Sequence, residues 1–426
     1  MYAIIGVIYI MLITKAPKGT EDLLPHDSYK WQYLERKFKE VCDNFGYKEI
    51  RVPTFEHTEL FERGVGDTTD VVEKQMYTFL DKGGRSITLR PEGTASVARS
   101  YLQNNLYAET LPLKMWYCLP CFRYENKQKG RLREFHQFGI EAFGSKGPSI
   151  DAEVVSLAIT YLTGVGLNDL SVNINSIGCP ECRKKYNEAL KAWLKPKYEE
   201  LCGTCKQRFD RNPLRILDCK SDICQGLAKD APRLLDYICD DCREHFESFK
   251  KALDNMNITY SVDSGIVRGL DYYTKTVFEI ISGPFTVCGG GRYDGLVEEF
   301  GGERTPAIGF GLGIERLLIR LSENGAEIPD EAKPDLYIAP LGAAAGEKAQ
   351  VVAFDLRKNG IKVETDHIGR GLKPQLKYSD KIGAKYTLVL GDSEIETGKI
   401  RLKNMQTGEQ TEWELDRIAE FFKGDK

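Results

Sequence analysis

Eight of the chain's 12 cysteines fall between Cys179 and Cys242, in four close pairs: Cys179/Cys182, Cys202/Cys205, Cys219/Cys224 and Cys239/Cys242. The segment that carries them, to about Met256, is otherwise charged helical sequence. Strand-forming sequence lies on either side, at Leu170–Ile177 and Ile258–Val262. Any fold for this chain therefore interrupts one sheet-building region with a cysteine-rich insert. The first two pairs read C-x2-C-x19-C-x2-C, a spacing that suits a structural Zn2+ site; the other two read C-x4-C-x14-C-x2-C. All-cysteine sites are expected over mixed ones, because the insert's single histidine is His245. The spacing leaves open which pairs share an ion. Disulfides are the competing account, and a reducing compartment disfavours them.

With 426 residues the chain has room for two or three domains. A charged content of 29% and an apolar content of 42% fit a soluble protein, and a net charge of −4 argues neither for nor against a nucleic-acid partner. The opening run MYAIIGVIYIMLI is too short for a membrane span and lacks the basic flank and cleavage site of a signal peptide. The expectation is a cytoplasmic protein without a membrane partner. Residues 1–10 are expected to be a non-native or disordered leader, with Met11 as the start.

Apolar periodicity places the elements. Trp31, Leu34, Phe38, Val41, Cys42 and Phe45 form a helical stripe from about Asp27, ended by Gly46, with a strand at Lys48–Pro53. Gly83-Gly84 turns a hairpin between Met76–Leu80 and Ser86–Arg90, and Thr94 is a candidate N-cap. Leu113–Leu119 reads as a strand, and Ser149 caps a helix to about Thr163. In the strand Glu134–Phe143, Phe138, Ile140 and Ala142 share a packing face, while Gln137, Gly139 and Glu141 share the other, an odd core but a reasonable ligand floor. After a polar linker, strands and helices alternate from Asp335 to Leu390, which predicts a small α/β domain with a mostly parallel sheet. The domain expectation is 11–325 interrupted by the insert at 178–258, a linker at 326–334, and a last domain at 335–426.

Four groups carry chemistry: Arg90–Thr94; Phe122–Glu125 with the basic loop Lys127–Arg133 and the Gln137/Glu141 strand; Ile266–Tyr273, read as strand, with Gly289–Gly295; and Gly309–Arg316. The last is not a Rossmann fingerprint, since its spacing is G-x-G-x-G. No Ser-His-Asp or Cys-His arrangement is present, and the 5 histidines are scattered. Arginines and carboxylates on glycine-lined strands suit phosphoryl or nucleotidyl transfer, where positioning and charge neutralisation do most of the catalysis.

These residues resemble the histidyl-tRNA synthetases, a family of class II aminoacyl-tRNA synthetases. Ala16–Pro25 is similar to the family's opening, Phe122–Glu125 with Phe135–Glu141 to class II motif 2, and Gly309–Leu318 to motif 3. Arg268–Tyr273 and Gly290–Gly295 resemble the two histidine-specific motifs, while motif 1, around Lys48–Pro53, is degenerate. The resemblance implies an α+β fold: an antiparallel class II catalytic sheet flanked by helices, a mainly helical insert, and a C-terminal α/β anticodon-binding domain. It implies a homodimer that activates L-histidine with ATP and Mg2+ to an adenylate, then passes it to cognate tRNA. By the same resemblance, Glu92, Thr94 and Gln137 hold the α-ammonium of histidine, with Gly93 among the histidine-binding residues. Glu141 and Tyr273 read the imidazole beside Tyr272. Arg123, Arg131, Gly311 and Arg316 bind ATP, and Arg268 acts with Arg123 on the reacting carboxylate and α-phosphate. The alternative is a non-catalytic relative that senses tRNA; such relatives lose motif residues or the last domain, and this chain keeps both.

Overall fold

The structure, a computed structural model, describes residues 14–66, 69–219 and 221–424, so the expected leader and start lie outside the described residues. Residues up to Pro329 form one compact unit and those from Asp330 a second.

The first unit is built on an eight-stranded sheet whose strands run, edge to edge, Lys48–Glu49, Leu113–Phe122, Glu134–Phe143, Ala307–Gly313, Phe285–Arg292, Thr274–Ser282, Leu170–Ser176 and Ser261–Val262. The interior pairings are antiparallel, and the two edge strands pair parallel. One face carries Phe138 and Ile140 into the main core, where the helices Pro25–Asn44 and Pro148–Gly164 cover them. Phe38 stacks on Phe138 with ring centroids 4.5 Å apart. The helical stripe read from the sequence is thus the buried one, with Leu34, Phe38 and Cys42 inside.

The other face has a gap across its middle. At one register, five adjacent strands present Tyr117, Gly139, Gly311, Gly289 and Glu279. Three neighbouring glycines remove three side chains from the sheet surface and leave a trough bounded by Tyr117 and Glu279.

Several sequence expectations are corrected. Lys48–Pro53 forms a regular strand over Lys48–Glu49 only: Ile50 still donates to the Trp116 carbonyl at 2.8 Å, but the Val52 and Pro53 carbonyls turn to Arg90 instead of a ladder, and Pro53 has no N–H to pair. Ile266–Tyr273 is irregular chain rather than strand, and the regular ladder begins at Thr274. The helix expected to start at Ser149 has Gly147 as N-cap and Pro148 in its first turn. In the second unit, Val363–Thr365, Leu336–Pro340 and Tyr386–Leu390 pair in parallel as expected. The sheet then continues with an antiparallel pair, Lys399–Asn404 and Gln410–Glu414, which the sequence reading did not find.

The insert does not stand apart. Its apolar core, with Tyr186, Leu190, Leu194 and Ile216, is continuous with Ile266, Tyr273 and Val277 of the sheet region.

Candidate active site

The trough opens into a cleft of about 470 Å³ lined by Gly289 and Gly311, by Tyr117, whose ring covers Gly139, and by Glu92, Arg123, Gln137, Arg268, Tyr272 and Arg316 among others. Each glycine is a seat for one of these groups. A Cβ on Gly289 would lie 2.5 Å from Arg268 Nη1, one on Gly311 3.0 Å from Gln137 Nε2, and one on Gly139 2.2 Å from the Tyr117 ring. Gly93 makes room for the same ring, at 2.5 Å.

At the start of the helix Thr94–Gln103, Glu92 accepts the backbone N–H groups of Thr94 and Ala95 at 2.7 and 2.8 Å. Glu92, not Thr94 as expected, therefore supplies the side-chain cap, and both carboxylate oxygens are held by backbone. Thr94 turns its hydroxyl inward to Glu141 Oε1, at 2.7 Å.

Glu141 is fully buried and lies beneath the cleft rather than in its lining. Its oxygens accept from Thr94, from the Tyr117 hydroxyl at 3.0 Å and from the Tyr293 hydroxyl. Burial pushes its carboxyl up to about 8, although these hydroxyls favour the charged form.

Arg123 is oriented by Nε donating to the Pro91 carbonyl at 2.8 Å, with its guanidinium over the Phe135 ring. Arg316 donates to the Gly130 and Thr286 carbonyls at 3.1 and 3.2 Å. Burial and the charge of Arg131 pull the Arg316 pKa below its ordinary value, a strain that a bound anion relieves. Arg131 pairs with Glu125 at 3.5 Å. Arg268 donates to Glu279, and its own Nε is buried without a partner. Tyr272 and Tyr273 pack ring against ring, with centroids 4.7 Å apart.

Sequence reasoning missed Glu279, Tyr117 and Tyr293. Glu279 was readable as the lone carboxylate in the strand Thr274–Ser282; Tyr293 lay inside the Gly290–Gly295 motif without being singled out, and Tyr117 carried no signal. Two arginines of the motifs are structural. Arg90 donates to the carbonyls of Val52, Pro53 and Pro120, at 2.7–2.8 Å. Arg292 is fully buried against Asp151, 2.6 Å away, and Asp151 also holds His245 at 2.8 Å. The cysteines meet in an order the spacing did not show. Cys179, Cys182, Cys239 and Cys242 form one group, and Cys202, Cys205, Cys219 and Cys224 another.

A family model described as Histidyl-tRNA synthetase matches residues 19–317. The chain belongs to the histidyl-tRNA synthetase family. A second model, described as Anticodon binding domain, matches residues 335–425. Among curated histidyl-tRNA synthetases, the histidine–tRNA ligase of Acetivibrio thermocellus is 56% identical over 411 residues, covering 96% of this chain and 99% of its own. That of Clostridium perfringens is 59% identical over 403 residues, covering 94% and 97%. The apo histidyl-tRNA synthetase of Staphylococcus aureus superposes with a TM-score of 0.84 at 43% identity, over 96% of this chain and 100% of the other.

Proposed function

We propose that this cleft activates histidine with ATP and transfers it to tRNA. The histidine carboxylate attacks the α-phosphorus of ATP and pyrophosphate leaves; a ribose hydroxyl at the tRNA 3′ end then attacks the acyl carbon and AMP leaves. The observation that carries the reading is the convergence of Arg123, Arg268 and Arg316 on one glycine-floored cleft that also holds Glu92, Gln137, Tyr272 and Tyr273. Both attacks use groups the substrates bring, so the protein's task is to place them and neutralise charge.

Arg123, Arg131 and Arg316 are assigned to the phosphates, beside Gly311. Arg268 is assigned to the α-phosphoryl oxygens and the attacking carboxylate. Glu92 and Gln137 are assigned to the α-ammonium, and Tyr272 and Tyr273 to the imidazole. Glu141 is assigned to the same end, acting through the hydroxyls of Thr94, Tyr117 and Tyr293 that lie on it. The family's reaction uses ATP with Mg2+, and the lining offers Glu125, Glu279 and Glu315 as hard oxygen ligands for it. Bound there, the ion would supply charge neutralisation on the phosphates.

The finer assignments belong to the same proposal. Residues 11–325 are assigned to the catalytic domain, 326–334 to a linker and 335–426 to the anticodon-binding domain. The insert at 178–258 is assigned to the tRNA acceptor stem, and its thiols to Zn2+. The homodimer contact is placed at the sheet edge Lys48–Glu49, and the compartment is the cytoplasm. No helix among the described residues is long and apolar enough to cross a membrane. Amino-acid-dependent ATP–pyrophosphate exchange, followed by charging of purified tRNA, tests the reading. Exchange and charging with histidine alone are expected; exchange with another amino acid, or none, overturns it.

A further inference from the structure

Within the outer cysteine group, Cys179 and Cys182 sulfurs lie 3.5 Å apart and those of Cys182 and Cys242 3.9 Å; within the inner group, Cys202 and Cys219 lie 3.8 Å apart. A disulfide holds its sulfurs about 2.0 Å apart. Four thiolates, each about 2.3 Å from one tetrahedral Zn2+, lie roughly 3.8 Å from each other. The second geometry is the one present. All four sulfurs of each group fall within 4.8 Å of one another, room for a single ion. An ion of fixed valence suits a place where no redox chemistry is needed.

The local backbone agrees. Cys179, Cys202 and Cys239 are the N-caps of Pro180–Leu194, Gly203–Arg211 and Asp240–Asn255. The next cysteine of each pair lies three residues on, so both thiols face the amide end of a helix, where a thiolate is favoured. Backbone N–H groups of Cys239 and Cys202 reach Cys182 Sγ and Cys224 Sγ at 3.1 and 3.3 Å. His245 is held by Asp151 and is free for neither group.

Between the two inner pairs runs the segment 206–218, which packs on the irregular chain beside the cleft. Arg208 pairs with Asp70 at 2.8 Å. Asn212 Nδ2 donates to Asp271 Oδ1 at 3.1 Å, and Arg215 donates to the Gly269 carbonyl while lying 3.4 Å from Asp271. Asp218 joins the cleft lining. The stretch from Val267 to Asp271 has no ladder partner; Asp271 is also held by its N–H on the Val65 carbonyl at 3.1 Å and by Arg183 on its own carbonyl at 3.3 Å, while the Gly269 carbonyl is held by Arg215.

We propose that the insert binds two Zn2+ ions in nested pairing, Cys179/Cys182/Cys239/Cys242 outside and Cys202/Cys205/Cys219/Cys224 inside, and that the inner ion, through Arg215, positions the Gly269–Asp271 backbone for histidine binding. The positioning half rests on the histidine site proposed above; the metal half does not.

Full-length protein, purified under reducing, chelator-free conditions, should carry two zinc per chain, each with only sulfur neighbours at about 2.3 Å by X-ray absorption. No zinc, one zinc, or iron in its place overturns the sites. Replacing Cys202, Cys205, Cys219 and Cys224 by Ser should leave one zinc; replacing Cys179, Cys182, Cys202 and Cys205 should leave none. Consecutive pairing reverses both results and would overturn the nesting. Arg215→Met, which leaves every thiol in place, should keep both ions and raise the histidine KM in pyrophosphate exchange by roughly tenfold or more, with the ATP KM unmoved. An unchanged histidine KM there overturns the positioning role even if the cysteine variants fail to fold. Two zinc ions in a wild-type protein without histidine-dependent exchange would sink the histidine reading and leave the metal sites standing.

Discussion

At the scale of single residues, the site separates groups that touch substrate from groups that hold them. Arg268 has its Nη1 on Glu279 and an unpartnered buried Nε. Charge builds on the α-phosphoryl oxygens in the transition state, so Arg268→Ala should lower kcat for adenylation by about 10²–10³-fold and move either KM far less. Stopped or steady-state exchange kinetics check this; a change confined to KM would make the arginine a ground-state binder. Above about pH 8, where the Glu141 carboxyl is ionised, Glu141→Gln should cost histidine binding roughly 1–3 kcal/mol, since an amide offers one acceptor oxygen to three hydroxyl donors. An unchanged histidine KM would remove Glu141 from that end of the site. The same substitution has a pH signature. Burial holds the Glu141 carboxyl at about 8, so from the ordinary carboxyl range up to that pH the folded state keeps a proton the unfolded state has released. Rising pH therefore drains stability from the wild type across this window, and glutamine cannot titrate. Denaturant midpoints at roughly pH 5 and pH 8 should show the variant gaining on the wild type as pH rises.

At the scale of elements, Asp151 on the helix Pro148–Gly164 ties together three parts of the first unit. It holds Arg292 from the sheet and His245 from the helix Asp240–Asn255. Burial alone would raise its pKa, but the bonds from His245 and the charge of Arg292 hold it below the usual carboxylate range. Asp151→Asn strips a buried arginine of its counter-charge, which typically costs about 3–5 kcal/mol; chemical denaturation measures it, and a loss well under 1 kcal/mol would contradict the assignment. Elements were legible in the sequence where one periodicity ruled. Glu134–Phe143 alternates cleanly and forms that strand over those residues. Ile266–Tyr273 misled because its β-branched neighbours lie in the adjoining ladder, whereas Gly269 and Asp271 answer to the insert. Lys399–Asn404 was missed because its buried Ile400 and Leu402 are too few among exposed charges to stand out. The candidate site was legible as motifs, but spacing along the chain could not say which cysteines meet, because that depends on where helices begin in space.

At the scale of the whole molecule, the two units have separate cores, the second built on Leu336, Ile338, Leu388 and Leu390. Every group assigned to adenylation lies in the first. A chain ending at Pro329 should therefore keep histidine-dependent pyrophosphate exchange within a few-fold and lose tRNA charging; loss of exchange would mean that the second unit supports the chemistry. The eight-stranded sheet carries a different kind of consequence in its glycine trough. Every coding change at a glycine adds at least one carbon; at Gly139 it would meet the Tyr117 ring, at Gly289 the Arg268 guanidinium and at Gly311 the Gln137 amide. A lineage drifting by single substitutions finds Gly139 closed, while a change at Gly289 or Gly311 has to move Arg268 or Gln137 with it. A change in the floor of the trough therefore carries a change in the side chains that stand on it, so the two can only be altered together.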